Sequence, residues 1–260
     1  MEANKLTVGS GWLWIKQGIY LFKKSPILWV VLTLIGIAGL LGISSIPVVG
    51  EFLATLLFPV LFSGLLWGCH ALEHDEELEL AHLFMGFQRN TQQLVTLGGL
   101  NLLGQLLIFG VMMLAGGGAL VEILMGTTPA DDPAVIARAT EGAMLAIMIG
   151  MVLFSGLLLA TQFAPMLVTF DKVPPLMALK ASLRGCVRNL APLSVYGVMM
   201  MLFAIVASLP MMLGWVILLP IMTTSIYAAY RGIFPWPEDA ANSAPPPDAA
   251  PQQDVTPDGQ

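Results

Sequence analysis

Charge is what this chain has least of. Only 11% of its 260 residues are Asp, Glu, Lys or Arg, 57% are hydrophobic, and mean hydropathy is +0.81. A soluble domain carries about a quarter charged residues. Too little polar surface is therefore available to cover a water-exposed globule, and a membrane protein is the class implied. Eleven Lys and Arg set against 17 acids exclude a nucleic-acid-binding surface. Cysteine is almost absent too. Cys69 and Cys186 make no disulfide framework. No ionisable side chain falls in the middle of a long apolar run. Ion-coupled pumps place such groups along their path, so proton or sodium coupling is disfavoured. P-loop, dinucleotide-fingerprint and nucleophile-elbow motifs are missing as well, and no cofactor is expected.

What is present in quantity is apolar sequence. Six spans emerge at 26–43, 51–69, 94–115, within 142–170, 192–209 and 211–230. Each approaches the ~20 residues needed to cross ~30 Å of hydrocarbon. The third continues past Gly116-Gly117-Gly118, where a helix end or kink is expected, followed by a short extra helix at 119–126. The connections alternate in charge. Ten of the eleven Lys and Arg fall on one set of connections, and only Arg138 falls on the other. Positive charge is retained in the cytoplasm, so both termini are expected there, with the two thiols reduced on that side. The net charge of −6 is local. Five acids lie in 73–79 and five in the last 23 residues.

The stretch "GWLWIKQGIYLFKKSPILW" opens this layout. On a helical wheel, Trp12, Trp14, Ile15, Gly18, Ile19, Leu21 and Phe22 share one half, and Lys16, Gln17, Tyr20, Lys23 and Lys24 share the other. That pattern predicts an amphipathic helix lying in the headgroup plane. Ser25-Pro26 ends it, and Pro26 suits the first turn of a crossing helix. A signal peptide is not indicated: the apolar region exceeds a 7–15 residue core, and no A-x-A-like site follows. The pattern recurs at 174–189, where Lys180, Arg184 and Arg188 form a basic stripe, and more weakly at 80–90. The chain thus reads as one integral membrane domain, 1–233, of three repeated units at 9–75, 78–172 and 174–232. Each is a surface helix followed by two crossings. "VLFSGLL" at 60–66 and 152–158, the shared "GFQRN" and "GCVRN" endings, and Pro59, Pro165 and Pro220 suggest repetition in registers that disagree. Residues 234–260 carry seven prolines, five acids and no Lys or Arg. Such a segment buries too little apolar surface to fold, and a disordered cytoplasmic tail is expected.

The pattern "GW-x-W-I-x-x-G-x-x-x-F", then "IPVVG", then "HLF-x-GF", resembles an uncharacterised family of proteobacterial inner-membrane proteins. That family is more distantly similar to YciC-like proteins and to the membrane domain attached to some glycerophosphodiester phosphodiesterases. The resemblance covers most of residues 10–232. It implies a multi-pass inner-membrane protein and carries no catalytic residue.

Two groups of residues are candidates for chemistry. "HALEH", His70 to His74, matches H-x-x-E-H, in which imidazoles at i and i+4 share a helix face. With His82 these are the metal-ligand candidates. They sit where a crossing leaves the membrane, no distant third ligand stands out, and no metal site is expected. Asn101, Gln105 and Gln162 are intramembrane polar residues, expected to hydrogen-bond between helices. Trp12, Trp14, Lys16, Lys23, Lys24, Lys180, Arg184 and Arg188 are expected to meet the lipid surface. The expected fold is an all-α polytopic bundle of about six transmembrane helices with three cytoplasmic-side amphipathic interfacial helices. The expected function is a non-enzymatic scaffold or accessory protein of the bacterial inner membrane. Its expected partners are membrane lipids, a protein or a second copy of itself, and no nucleic acid. The alternative is a transporter or lipid-handling permease without ion-coupling residues.

Overall fold

A computed structural model describes residues 3–118, 121–122, 125 and 133–236. The tail beyond 236 and most of the predicted helix at 119–126 lie outside the described residues. Helix α1 (Ser10–Lys24) ends at Ser25, whose φ of −152° leaves helical space, and α2 (Pro26–Ser44) starts with its proline in the first turn. Proline's missing N–H costs nothing there. A turn leads to α3 (Gly50–Glu73), then a 3₁₀ turn (Leu80–Phe84) and the single-turn α4 (Met85–Gln88). Asn90, in the left-handed region at φ 57°, redirects the chain into α5 (Thr91–Met112). α5 runs into a π-turn, Met113–Gly117, broken by Gly116 at φ 116°. The glycine run thus supplies the kink that was one of the two expectations there. α6 (Pro133–Gln162) returns, and a break at Phe163 separates it from α7 (Ala164–Thr169). α8 (Pro175–Arg188), α9 (Leu190–Ser208) and α10 (Trp215–Ile233) complete the chain.

Six helices are long and apolar enough to cross a membrane, and no strand occurs among the described residues. The fold is an all-α polytopic membrane bundle. Its outer faces remain apolar, with Leu106, Leu107 and Phe109 of α5 and Met151, Val152 and Phe154 of α6 exposed. Hydrocarbon, not water, is the solvent such faces require. The Asn4 N–H donates to the Ile233 carbonyl at 2.9 Å, so the two described ends of the chain meet at one end of the bundle.

The short segments between hairpins dock in one manner. Each packs on the second helix of the hairpin before it: the 3₁₀ turn and α4 on α3, α8 on α6 and α7, and α1 on α10, which closes the circle. Bare backbone makes this possible. A Cβ on Gly18 would sit 2.2 Å from Ser225 Oγ, and one on Gly64 would sit 2.1 Å from the Leu83 carbonyl oxygen. Pro59, Pro165 and Pro220 mark equivalent points, since each is followed four residues later by a buried hydroxyl: Ser63, Thr169 and Thr224. The Ser63 and Thr169 hydroxyls pair at 2.9 Å, and Thr224 donates to the Gly18 carbonyl at 2.9 Å. Lys24 Nζ donates to the Leu72 carbonyl at 2.7 Å and pairs with Asp75 at 2.6 Å. A cation is thereby held at the C-terminal end of α3, where the helix dipole favours it.

The expected headgroup-plane helices differ in detail. Trp14 is not a lipid-surface residue: it is 2% exposed and meets Tyr196 edge-on with centroids 6.3 Å apart. Gly11, Trp14, Ile15, Gly18 and Leu21 form the buried face of α1, which covers α9 and α10. On a wheel, an apolar face looks the same whether its partner is lipid or protein. Trp12, Lys16, Lys23 and Lys24 remain exposed, with Lys16 Nζ 5.7 Å from the centre of the Trp12 ring. On α8, Lys180, Arg184 and Arg188 are exposed, Ala178, Ser182, Gly185 and Cys186 are buried, and Leu176 and Val187 lie open on the flank. The middle segment of the three is a 3₁₀ turn plus one α-turn instead of a continuous helix.

Candidate functional site

A cavity of about 460 Å³ lies among the crossing helices. Its walls come from α2, α3, α5, α6, α7, α9 and α10, with Leu83 of the 3₁₀ turn also present. Most of the lining is aliphatic or aromatic. The polar members are Thr33, Asn101, Thr161, Gln162, Tyr196 and Thr223, and no charged residue contributes. The size and the sparse polar groups fit a small-ligand pocket. Gly36 on α2 keeps one wall low, since a Cβ there would meet only Leu83 Cδ1 at 3.7 Å.

Asn101 and Gln162 were expected to hydrogen-bond between helices. Neither does among the described residues; both amides line the cavity instead. The Thr33 hydroxyl is buried and has no hydrogen-bond partner. Such a group costs about 1–3 kcal/mol when left unsatisfied. Several polar groups in an apolar setting thus converge without partners among the described residues. Gln105 is not part of the group. It lies one turn beyond Asn101 on the exposed side of α5. The residues that sequence reasoning missed are Tyr196, Thr223 and Gly36. Tyr196 and Thr223 stand within apolar stretches with nothing to mark them, and only the packing reveals them.

α6 and α9 both line the cavity, yet these two helices barely touch one another, whereas the other neighbouring crossing helices around the ring pack directly. The ring of crossing helices is therefore least tightly closed between α6 and α9.

The histidines separate. His70 and His74 lie one turn apart on α3, with ring centres 4.2 Å apart. His82 is engaged elsewhere: its Nδ1 accepts the Glu79 backbone N–H at 2.9 Å, completing a capping box at the 3₁₀ turn. Cys69 and Cys186 are both free and buried. Burial pushes the Cys186 thiol up to about 12, opposed in part by a hydrogen bond with Ser182. Asp171, just past α7, is raised above the ordinary carboxylate range by burial, although the Tyr230 hydroxyl donates to it at 2.6 Å.

No protein-family profile matches the chain, and no solved structure matches it. It is 28% identical over 266 residues to a protein of Burkholderia thailandensis that bears the name probable inner membrane protein. The match takes in 94% of this chain and 98% of the other. A six-helix polytopic bundle, aligned nearly end to end with such a relative, is an integral membrane protein.

Proposed function

We propose that this chain is a non-enzymatic protein of the bacterial inner membrane that takes a lipid-class amphiphile from the bilayer into its intramembrane cavity. One observation carries the reading: the Asn101 and Gln162 amides and the Thr33 hydroxyl face a common space without hydrogen-bond partners among the described residues. Acyl carbon suits the aliphatic walls, and ester or hydroxyl oxygens suit neutral amides and hydroxyls. A bare ion suits neither, since no charge lines the space. In this reading lateral access from hydrocarbon, which a water-soluble solute does not need, is between α6 and α9, where the ring is least tightly closed. This is a lipid-handling role. Both termini lie in the cytoplasm in this reading, by the bias of Lys and Arg.

The test is lipid retention. Protein purified in mild detergent is examined intact by native mass spectrometry, beside Gly36→Phe, whose ring fills the cavity. Wild type should retain a bound phospholipid or diacylglycerol-sized mass, and Gly36→Phe should lose it while melting normally. Equal retention by both proteins would refute the reading. A second reading, a scaffold that meets anionic headgroups or a partner protein, is favoured by the exposed Lys180, Arg184 and Arg188 stripe on α8. It predicts that charge reversal along this stripe alters partner capture without altering lipid retention.

A further inference from the structure

We infer that His70, Glu73 and His74 form a binding site for a divalent transition metal of the zinc class, at the end of α3 remote from the lipid cavity. Each of the three offers one ligand atom, and these atoms all lie within 4.8 Å of one another. A tetrahedral centre with bonds of about 2.0–2.2 Å brings its ligands to roughly 3.3–3.6 Å apart. Small side-chain rotations cover that difference.

The surroundings are those a metal site requires. Ligating imidazoles usually donate their second nitrogen to a carbonyl or carboxylate, which fixes the tautomer. His74 does this. Its Nδ1 lies 2.9 Å from the His70 carbonyl oxygen, which can only accept, so the proton is on Nδ1 and the Nε2 lone pair is free. His70 has a buried Nδ1 with no hydrogen-bond partner among the described residues. Its ring is held by Trp67 and Phe170, each 5.4 Å away, and by Trp236 at 5.2 Å. Glu73 is oriented from behind. The Tyr227 hydroxyl donates to its Oε2, and Arg231 Nε donates at 3.0 and 3.2 Å to Oε1 and Oε2. A carboxylate has about four acceptor positions. Two donors making three contacts leave one position, on Oε1, for a cation. His70 and His74 also line a cleft of about 930 Å³ that reaches solvent, giving a path of entry.

The choice of metal follows from the ligands. Two imidazoles and one carboxylate suit zinc, cobalt or nickel and do not suit magnesium or calcium, which take oxygen. With three protein ligands, the fourth position is left to water or an external group. The neighbouring acids Asp75, Glu76, Glu77 and Glu79 add negative potential, of which Lys24 answers Asp75.

The experiment uses the full chain in detergent, stripped with a chelator and titrated with Zn²⁺ against a chromophoric competitor. Wild type should take up one zinc per chain with a rise in melting temperature. The His70→Gln/His74→Gln double variant should lose both effects. Tyr227→Phe, which loosens Glu73 without touching the metal, should weaken binding about 10- to 100-fold. His82→Ala should bind as wild type does. The inference is overturned if wild type binds no more zinc than the double variant, or if His82→Ala weakens binding as much as the double variant. Melting curves of metal-free samples show that each variant is folded before it is scored. Lipid retention is unaffected by any of these outcomes, so this test and that of the cavity fail independently.

Discussion

Replacing Asn101 with Leu, a side chain of similar size, separates two accounts of the membrane interior. If the amide tied helices together, the change would remove an interhelical hydrogen bond. Such bonds in membrane proteins average about 0.6 kcal/mol and reach about 1.7. Among the described residues Asn101 has no such bond, and it stands on the cavity wall. Stability should therefore change by less than about 0.5 kcal/mol, or improve, because an amide leaves an apolar space. Lipid retention should fall instead. One hydrogen bond to a ligand contributes about 0.5–1.5 kcal/mol net, which is about a 2- to 13-fold loss in affinity. Adding Gln162→Leu multiplies this to roughly 5- to 160-fold if the two amides act independently. Stability is read by thermal or SDS-induced unfolding, and retention by native mass spectrometry of the same preparations. A loss of more than about 1.5 kcal/mol with lipid occupancy unchanged would sink the argument, and Asn101 would then be glue.

Other consequences are direct. Gly18→Ala forces a methyl to within 2.2 Å of Ser225 Oγ and 2.6 Å of Ser225 Cα. Overpacking of this kind costs about 1–3 kcal/mol, and proteolysis within α1 should accelerate; unchanged digestion would mean that α1 is not docked as described. Cys186 should resist maleimide at pH 7.5 in the folded protein, since burial holds the thiol protonated to about 12, and rapid native labelling would contradict it. Asp171 has its folded value raised by burial, so the folded state binds the proton more readily than the unfolded one. Stability from this group is greatest at low pH and declines as pH rises through the ordinary carboxylate value of about 4. Asp171→Asn should accordingly raise the melting temperature at pH 7 and leave it unchanged below that range; the reverse pattern would show the carboxylate to be stabilised by its neighbours. Reporter fusions at residues 47, 132 and 245 should read outside, outside and inside, and a cytoplasmic signal at 47 would invert the proposed topology.

The crossings were legible because hydrophobic length is a one-dimensional quantity. Each predicted span has its helix, with ends moved by a few residues, and Pro26 and the glycine run at 116–118 act where expected. The face of α1 was legible, but its partner was not. Trp14 and Ile15 read alike against lipid or protein, and only Gly11 and Gly18, spaced seven apart on that face, hint that another backbone lies close. His70 and His74 were visible as an i, i+4 pair. That Glu79 would capture His82 depends on a capping geometry that forms only once the linker is folded. The cavity was hidden for a different reason. Asn101 and Gln162 stand 61 residues apart, and their meeting is set by the register of the α5–α6 hairpin. Gln105, one helical turn from Asn101, shows how little sequence distance separates the cavity wall from the outer surface.

The docking of α1 on α10 has a temporal side. Thr224 and Gly18 are 206 residues apart in the chain. At about 5–20 residues per second of synthesis, α1 waits roughly 10–40 s before its partner exists. Over that interval Trp14, Ile15 and Leu21 need a temporary surface, and the bilayer beside the ribosome offers one. The lysines that face away from the bundle in the finished protein would then first serve to hold α1 at the membrane until the last crossing arrives. A ring closed by its first and last helices is also a checkpoint, because a chain cut short before α10 leaves α1 undocked and visible to proteases.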